Sequence, residues 1–98
     1  MKRRPGILTP EARKHFRARG HSLKPVVATG HAGLTDNVMA AIEEALDHHE
    51  LIKIRLGCNQ REDRKLQAER ICRTTGAELV QLIGKIAIVY RKNPDQSD

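Results

Sequence analysis

The residues best suited to chemistry in this sequence are two glycines that flank two other residues, Gly30-His31-Ala32-Gly33. The main chain of such a loop can come close to another chain, because no Cβ atom blocks the approach. The helix predicted to follow Thr35 offers unpaired N–H groups and a partial positive charge, both of which favour phosphate. We therefore expect the loop to grip a phosphate chain, with His31 able to hydrogen-bond a phosphate or a sugar. An ordinary strand-to-helix turn that needs positive φ is the alternative, and the local sequence does not separate the two.

The distribution of charge favours a polyanionic ligand for this chain of net charge +6. Residues 1–24 hold eight Lys or Arg and one Glu, whereas residues 25–50 hold five acids and no Lys or Arg. Residues 51–73 hold seven basic and three acidic residues. Such segregation predicts a positive face for the polyanion and an acidic face directed away from it, with plain surface solvation as the alternative.

Basic residues on several predicted elements could contact one phosphate backbone together with the glycine loop. Arg61, Arg64 and Lys65 open a predicted helix, where positive charge opposes the helix dipole, and this placement indicates a ligand. For Arg70 and Arg73 we favour solvation of the helix. The predicted contacts outside the loop are Lys24, Lys53, Arg55, Arg61, Lys85, Arg91, Arg13, Lys14 and Arg17.

Other classes of site find little support in the sequence. Phe16 and Tyr90 are the only aromatic residues of the Phe, Tyr and Trp type, too few for a base-stacking platform, so recognition should depend on backbone and shape. The two cysteines are spaced neither for zinc nor for a disulfide framework, and we expect no metal and no cofactor. No catalytic motif can be placed. No apolar run is long enough to cross a bilayer, and we expect a cytoplasmic protein.

The elements that must position these residues follow from hydrophobic periodicity and from the capping residues. Thr9 and Thr35 are predicted N-caps, Gly20 and Gly76 are predicted helix stops, and Gly84-Lys85 fits a type II′ hairpin turn. We predict an α/β fold with a four-stranded mixed sheet covered by helices, in one domain over residues 9–92 between a basic arm, 1–8, and a polar tail, 93–98. The predicted order is α-β-α-β-α-β-β, with helices near 10–20, 36–47 and 61–75 and strands near 26–28, 51–56, 79–83 and 86–90.

Motifs along nearly the whole chain, over residues 9–92, resemble a CRM domain in its stand-alone bacterial form, the YhbY family of RNA-binding proteins. They are LKPVV from Leu23, GxxGLT from Gly30, ALDHHELIKI from Ala45, TGA from Thr75, IGK from Ile83 and YR from Tyr90. The resemblance implies a compact α/β fold similar to the C-terminal domain of translation initiation factor 3. It also implies association with precursors of the large ribosomal subunit.

The resemblance also assigns site residues. It maps the glycine loop onto residues 30–33 and the basic positions of the family onto Lys53, Lys85 and Arg91. Many members carry Lys or Arg between the glycines, whereas this chain has His31 and Ala32, which directs the expected contact toward the backbone amides.

We therefore expect a non-catalytic, monomeric protein that engages structured ribosomal RNA, with ribosomal proteins as possible further partners. One alternative is a protein-interaction module whose acidic helix, 36–47, docks a basic ribosomal or assembly partner. A third hypothesis is a small RNA-processing enzyme that uses His31.

Overall fold

A four-stranded mixed sheet forms the centre of the fold in the computed structural model, which describes residues 8–93. The strand order is β1-β2-β4-β3, with β1 parallel to β2 and the other neighbours antiparallel. This confirms the predicted class, sheet and order of elements. The elements are α1 Pro10–His21, β1 Val27–Ala28, α2 Asp36–His49, β2 Leu51–Arg55, α3 Arg61–Thr75, β3 Glu78–Ile83 and β4 Ile86–Tyr90.

Helices cover both faces of the sheet because side chains alternate along each strand. On one face, Ile52 and Ile54 of β2 pack with Ile42 and Leu46 of α2 and with Ile71 of α3, and all five are fully buried or nearly so. This cluster is the larger of the two apolar cores and fixes α2 and α3 against the sheet.

The opposite face carries α1. Phe16 stacks on Tyr90 of β4 with ring centroids 4.1 Å apart, and Leu51, Val80 and Ile88 form the smaller core beneath it. Lys53 and Arg55 alternate with Ile52 and Ile54, so they belong to this α1 face. The predicted core role of Phe16 and the sheet packing of Tyr90 are confirmed.

The predicted helix caps form as expected. The side-chain oxygens of Thr9 and Thr35 accept hydrogen bonds from the amides of Ala12 and Val38, at 3.0 and 3.2 Å. Gly76 ends α3 in the left-handed conformation with φ +77°. These caps fix where α2 begins, directly after the glycine loop.

Two local predictions are wrong. Gly20 lies inside α1 instead of ending it, and a Cβ there would stand 2.8 Å from Ile88, so glycine is needed for close packing of the helix on the sheet. The first strand is shorter than 26–28 and is not buried. It forms an edge of the sheet, and Val26 before it is 50% exposed.

Two boundary residues belong to the folded part of the chain. The amide of Leu8 donates to Glu78 Oε1 (3.1 Å), and Leu8 packs against the smaller core. Asn93 is buried, its amide donates to Glu50 Oε2 (2.8 Å) and its side chain donates to the carbonyl oxygen of Asp47. The rest of the predicted arm and tail, residues 1–7 and 94–98, lies outside the described residues.

Candidate nucleic-acid interface

The parallel pairing of β1 with β2 brings the glycine loop beside the segment that follows β2. Val27 pairs with Ile54 and Ala28 with Arg55, so both strands end at one edge of the sheet. The Thr29 amide donates to the carbonyl oxygen of Arg55 at 2.9 Å. We call this region the glycine-loop edge and define it as residues 30–33, 55–61 and 84–85.

The loop itself is a tight turn closed across its two glycines. The Gly33 amide donates to the carbonyl oxygen of Gly30 at 3.0 Å, and Gly33 has φ +73°, where glycine is favoured. His31 and Ala32 at its tip are exposed. A Cβ at Gly30 would meet nothing within 4 Å, and its φ is not positive, so the fold does not require glycine there. The positive φ of the turn explains why residue 33 is glycine. At position 30, the absence of a side chain leaves open space at the surface.

Gly57, which the sequence places only in a loop, also stabilises this edge. The Gly57 amide donates to Thr29 Oγ1 at 2.8 Å. A Cβ on Gly57 would lie 2.5 Å from the carbonyl oxygen of Thr29, a distance that real structures do not tolerate. Thr29 and Gly57 therefore hold the two loops together, and the contact depends on a tertiary pairing that sequence spacing does not reveal.

The β3–β4 hairpin reaches the same edge, because β4 is antiparallel to β2 and Ile86 pairs with Arg55. Gly84 has φ +55° and Lys85 has no positive φ, which fits the predicted type II′ turn. The Leu56 amide donates to the carbonyl oxygen of Lys85 (2.7 Å). The Lys85 ammonium is exposed and donates to Asn59 Oδ1 at 3.0 Å. An ammonium has three donors, so this contact leaves Lys85 able to bind an anion.

The beginning of α3 supplies further charge. Arg61 is exposed at the first position of the helix, while Glu62 and Asp63 complement the helix dipole. Arg64 donates to the carbonyl oxygens of Cys58 (3.2 Å) and Asn59 (2.7 Å). The prediction of a ligand from positive charge at the start of a helix does not apply to Arg64, because its guanidinium holds the loop before the helix.

Lys53, Arg55 and Lys24 continue the positive surface away from the loop. Arg55 is exposed at the end of β2, and Lys53 lies two residues earlier on the same face, about 7 Å away by strand geometry. Lys53 Nζ is 3.4 Å from the carbonyl oxygen of His21 at the end of α1. Lys24 is exposed in the segment before β1.

The three predicted contacts on α1 have different surroundings. The half-buried Arg13 donates to the carbonyl oxygen of Leu79 and so ties α1 to β3. Lys14 is exposed and Arg17 is half-buried. No contact described in the structure joins either of them to the glycine-loop edge, and both remain predictions.

Arg91 does not lie at this surface. Its side chain is 13% exposed and donates to Glu43 Oε1 (2.8 Å), Asp47 Oδ1 (2.8 Å) and the carbonyl oxygen of Thr75 (2.9 Å). Arg91 follows the end of β4 that is farthest from the hairpin. Because β4 runs antiparallel to β2, this end lies beside the start of β2, where Tyr90 pairs with Leu51. We call this cluster of Arg91, Glu43, Asp47 and Thr75 the arginine clamp. The structure gives Arg91 a folding role, and no described contact joins its side chain to the glycine-loop edge.

The thiol of Cys72 lies outside the glycine-loop edge. Burial raises the pKa of the Cys72 thiol to about 11, with Glu78 and Glu69 adding to the shift. Within residues 8–93, no three His, Cys, Asp or Glu side chains are grouped to hold a metal ion. None of the helices in the same range combines the length and hydropathy that a bilayer crossing requires.

Known proteins are similar to this chain in sequence and in fold. The model of the CRS1 / YhbY (CRM) domain matches residues 8–91. A probable RNA-binding protein of Pseudomonas aeruginosa is 48% identical over 87 residues, which cover 89% of this chain and 84% of that protein. An RNA-binding protein of Haemophilus influenzae is 41% identical over 88 residues, which cover 90% of this chain and 89% of that protein.

A solved structure agrees with this assignment. The solution structure of a hypothetical Staphylococcus aureus protein, described as a candidate for RNA binding, superposes with a TM-score of 0.82 at 31% identity. It covers 93% of this chain and 95% of that one. The chain therefore belongs to the CRS1 / YhbY (CRM) domain family, as its motifs predicted.

Proposed function

We propose that this protein binds structured RNA through the glycine-loop edge, without catalysis, and that its target is ribosomal RNA in precursors of the large subunit. The observation that carries the proposal is the convergence of the open Gly30 turn with three exposed cations, Arg55, Arg61 and Lys85, at one edge of the sheet. The bacterial relatives are named for RNA binding and match this chain over most of their length, which supports RNA as the polyanion.

The mechanism is electrostatic positioning. Phosphates contact the cations and the amides of the exposed turn, and the release of counterions from the RNA supplies most of the affinity. Because the half-buried rings of Phe16 and Tyr90 stack on each other between α1 and β4, we expect no stacking of bases on Phe or Tyr at this surface. The protein therefore recognises the shape of a folded RNA more than its sequence.

The acidic helix supports the RNA proposal more than the protein-docking alternative. Glu43 and Asp47 of α2 are engaged by Arg91, and the Glu50 carboxylate accepts a hydrogen bond from Asn93. Carboxylates that the chain already pairs are less available to a basic partner. Asp36 and Glu44 are the acids of this helix that stay exposed without a described ion pair.

The binding test is fluorescence anisotropy of the full-length protein with a labelled ribosomal RNA fragment at several salt concentrations. Contacts from these three cations predict a contribution of about −2 to −3 to the slope of log K against log salt. Binding that is absent at low salt, or that does not change with salt, would overturn the proposal.

The ribosomal target needs a test in cells. Tagged protein should co-sediment with precursors of the large subunit, and RNase treatment of the lysate should release it. Retention on a protein partner after RNase treatment would instead support docking through α2.

Cleavage or modification of the RNA by the pure protein would show that the protein is an enzyme.

A further inference from the structure

A small cavity lies beside the edge strand, away from the glycine loop. Its volume is about 300 Å³, and it is formed by the end of α1, the segment before β1 and the start of β2. We call it the β1 pocket and define it by Arg19, Leu23, Lys24, Val26, His49 and Lys53. Three of these side chains are cations, and none of the described residues that line the cavity is acidic.

The cations of the β1 pocket are available to a ligand. Arg19 and Lys24 are exposed. Lys53 Nζ makes one long hydrogen bond, 3.4 Å, to the carbonyl oxygen of His21, and an ammonium has two further donors. An anion placed among these three groups would meet positive charge from three different segments of the chain.

The pocket also offers apolar surface, although Leu23 packs in part against the smaller core. Val26 is 50% exposed although it is large and apolar, and Leu23 beside it is half-buried. The Val26 amide donates to the carbonyl oxygen of Lys53 (3.0 Å), so the backbone holds this side chain at the pocket. Apolar surface framed by cations matches a nucleotide, which joins a flat base and a ribose to a phosphate.

The pocket lies along β2 from the glycine-loop edge, within reach of one RNA strand. Lys53 lines the pocket, and Arg55 lies two residues farther along the same face of β2. The four residue steps from Val26 to Gly30 span about 13 Å of extended chain. An RNA strand bound at the edge would therefore reach the pocket within a few nucleotides.

We propose that the β1 pocket holds one unpaired nucleotide of an RNA bound at the glycine-loop edge, with its phosphate on Lys24 and Lys53 and its base or ribose against Val26. This inference rests on the proposed function and adds a substrate preference: structured RNA with a single-stranded extension binds more tightly than the same structure without one.

The experiment compares two labelled RNAs by fluorescence anisotropy, a hairpin and the same hairpin with short unpaired extensions at both ends. The full-length wild type should bind the extended RNA about tenfold more tightly, since the pocket adds a phosphate contact and apolar burial. Val26→Ser should weaken binding of the extended RNA about three- to fivefold and leave the hairpin affinity unchanged. Lys24→Gln should weaken binding of the extended RNA several-fold more than it weakens binding of the hairpin.

Matched controls use residues outside the pocket. Leu66 is a large apolar side chain, 62% exposed on α3, and Arg73 is an exposed cation near the end of that helix. Leu66→Ser and Arg73→Gln should leave the preference for the extended RNA intact. In a second arm, 4-thiouridine in the extension should crosslink to the segment 19–26.

The outcomes separate the two proposals. Equal wild-type affinity for both RNAs, or crosslinks only outside the segment 19–26, would overturn the pocket and leave the proposed function standing. A fall in the melting temperature of the Lys24 and Val26 variants with unchanged RNA preference would assign these residues to folding and also overturn the pocket. Failure of the wild type to bind either RNA would overturn both proposals.

Discussion

Arg55 and Arg91 lie at opposite ends of two neighbouring strands, and the protein satisfies their charges in different ways. Arg91, after β4, is 13% exposed and donates to two carboxylates and one carbonyl oxygen of its own chain. Arg55, at the end of β2, is exposed, as is Arg61 nearby. The main chain around Arg91 is also bound, since its amide donates to the carbonyl oxygen of Glu50 (2.9 Å).

The comparison shows how the role of a basic residue can be inferred from its surroundings. At the arginine clamp, the side chain of Arg91 joins β4 to α2 and to the end of α3, so the charge serves the fold. At the glycine-loop edge, contacts of the main chain with Thr29 and Gly57 hold the loops, and the exposed cations beside them stay available to a ligand. Substitutions should therefore act on stability at the clamp and on affinity at the edge.

The largest expected effect is on the main chain of the edge. Gly57→Ala places a Cβ 2.5 Å from the carbonyl oxygen of Thr29 and should lower the free energy of unfolding by about 3 kcal/mol, measured by urea denaturation. Gly30→Ala is the matched control, since its Cβ has open space, and it should change stability by less than about 0.5 kcal/mol. Equal stability of the two variants would show that the Thr29–Gly57 contact does not hold the edge.

The clamp should show the next largest effect. Arg91→Met leaves Glu43, Asp47 and the carbonyl oxygen of Thr75 without their donor and should lower the free energy of unfolding by about 2 kcal/mol. RNA affinity should not change. Arg55→Met is the matched variant, with affinity reduced about fivefold and stability within about 0.5 kcal/mol of wild type. If Arg91→Met weakened RNA binding while folding normally, the contrast between the two ends would be wrong.

Much of the fold follows from local patterns. The bounds of α3 and β4 agree with the prediction, because Gly76 and the Gly84-Lys85 turn determine the chain conformation only a few residues to either side. The role of Gly20 did not follow, since its need for glycine comes from Ile88, far along the chain.

The candidate site was predictable only in part, for the same reason. Arg55 was named from strand alternation, Arg61 from its place at a helix start and Lys85 from its place at the hairpin tip, all local properties. Arg91 was assigned to the site from its place after the last strand and from the family resemblance, but its partners in α2 are more than 40 residues away in sequence. The Thr29–Gly57 contact depends on the pairing of β1 with β2, which no local pattern specifies.

A smaller effect should separate the two glycines of the loop. Gly33 has φ +73°, and Gly33→Ala should cost about 1 to 2 kcal/mol of stability, because a side chain in the left-handed region is strained. Gly30→Ala should fold like wild type but bind RNA more weakly, because its Cβ projects into the open space where a phosphate would approach. Thermal melts and anisotropy on the same preparations measure both. Unchanged affinity of a folded Gly30→Ala variant would remove the loop from the interface.

The last effect concerns pH and involves Cys72 in the last turn of α3. The pKa of Cys72 is raised from 9.0 to about 11, so the folded state favours the protonated thiol. This stabilisation is complete below pH 9 and is lost as the pH rises through 11. The free energy of unfolding of the wild type should therefore fall more steeply over this range than that of Cys72→Ala. Parallel pH profiles of the two proteins would contradict the raised pKa.

The most direct measurement is the salt dependence of RNA affinity for the wild type and for a variant with Arg55→Gln, Arg61→Gln and Lys85→Gln. We expect the triple variant to melt like the wild type, to bind about 100-fold more weakly near physiological salt and to lose about two to three units of the log–log slope. The same slope and affinity in a folded triple variant would contradict the claim that the exposed cations of the glycine-loop edge bind the phosphates of RNA.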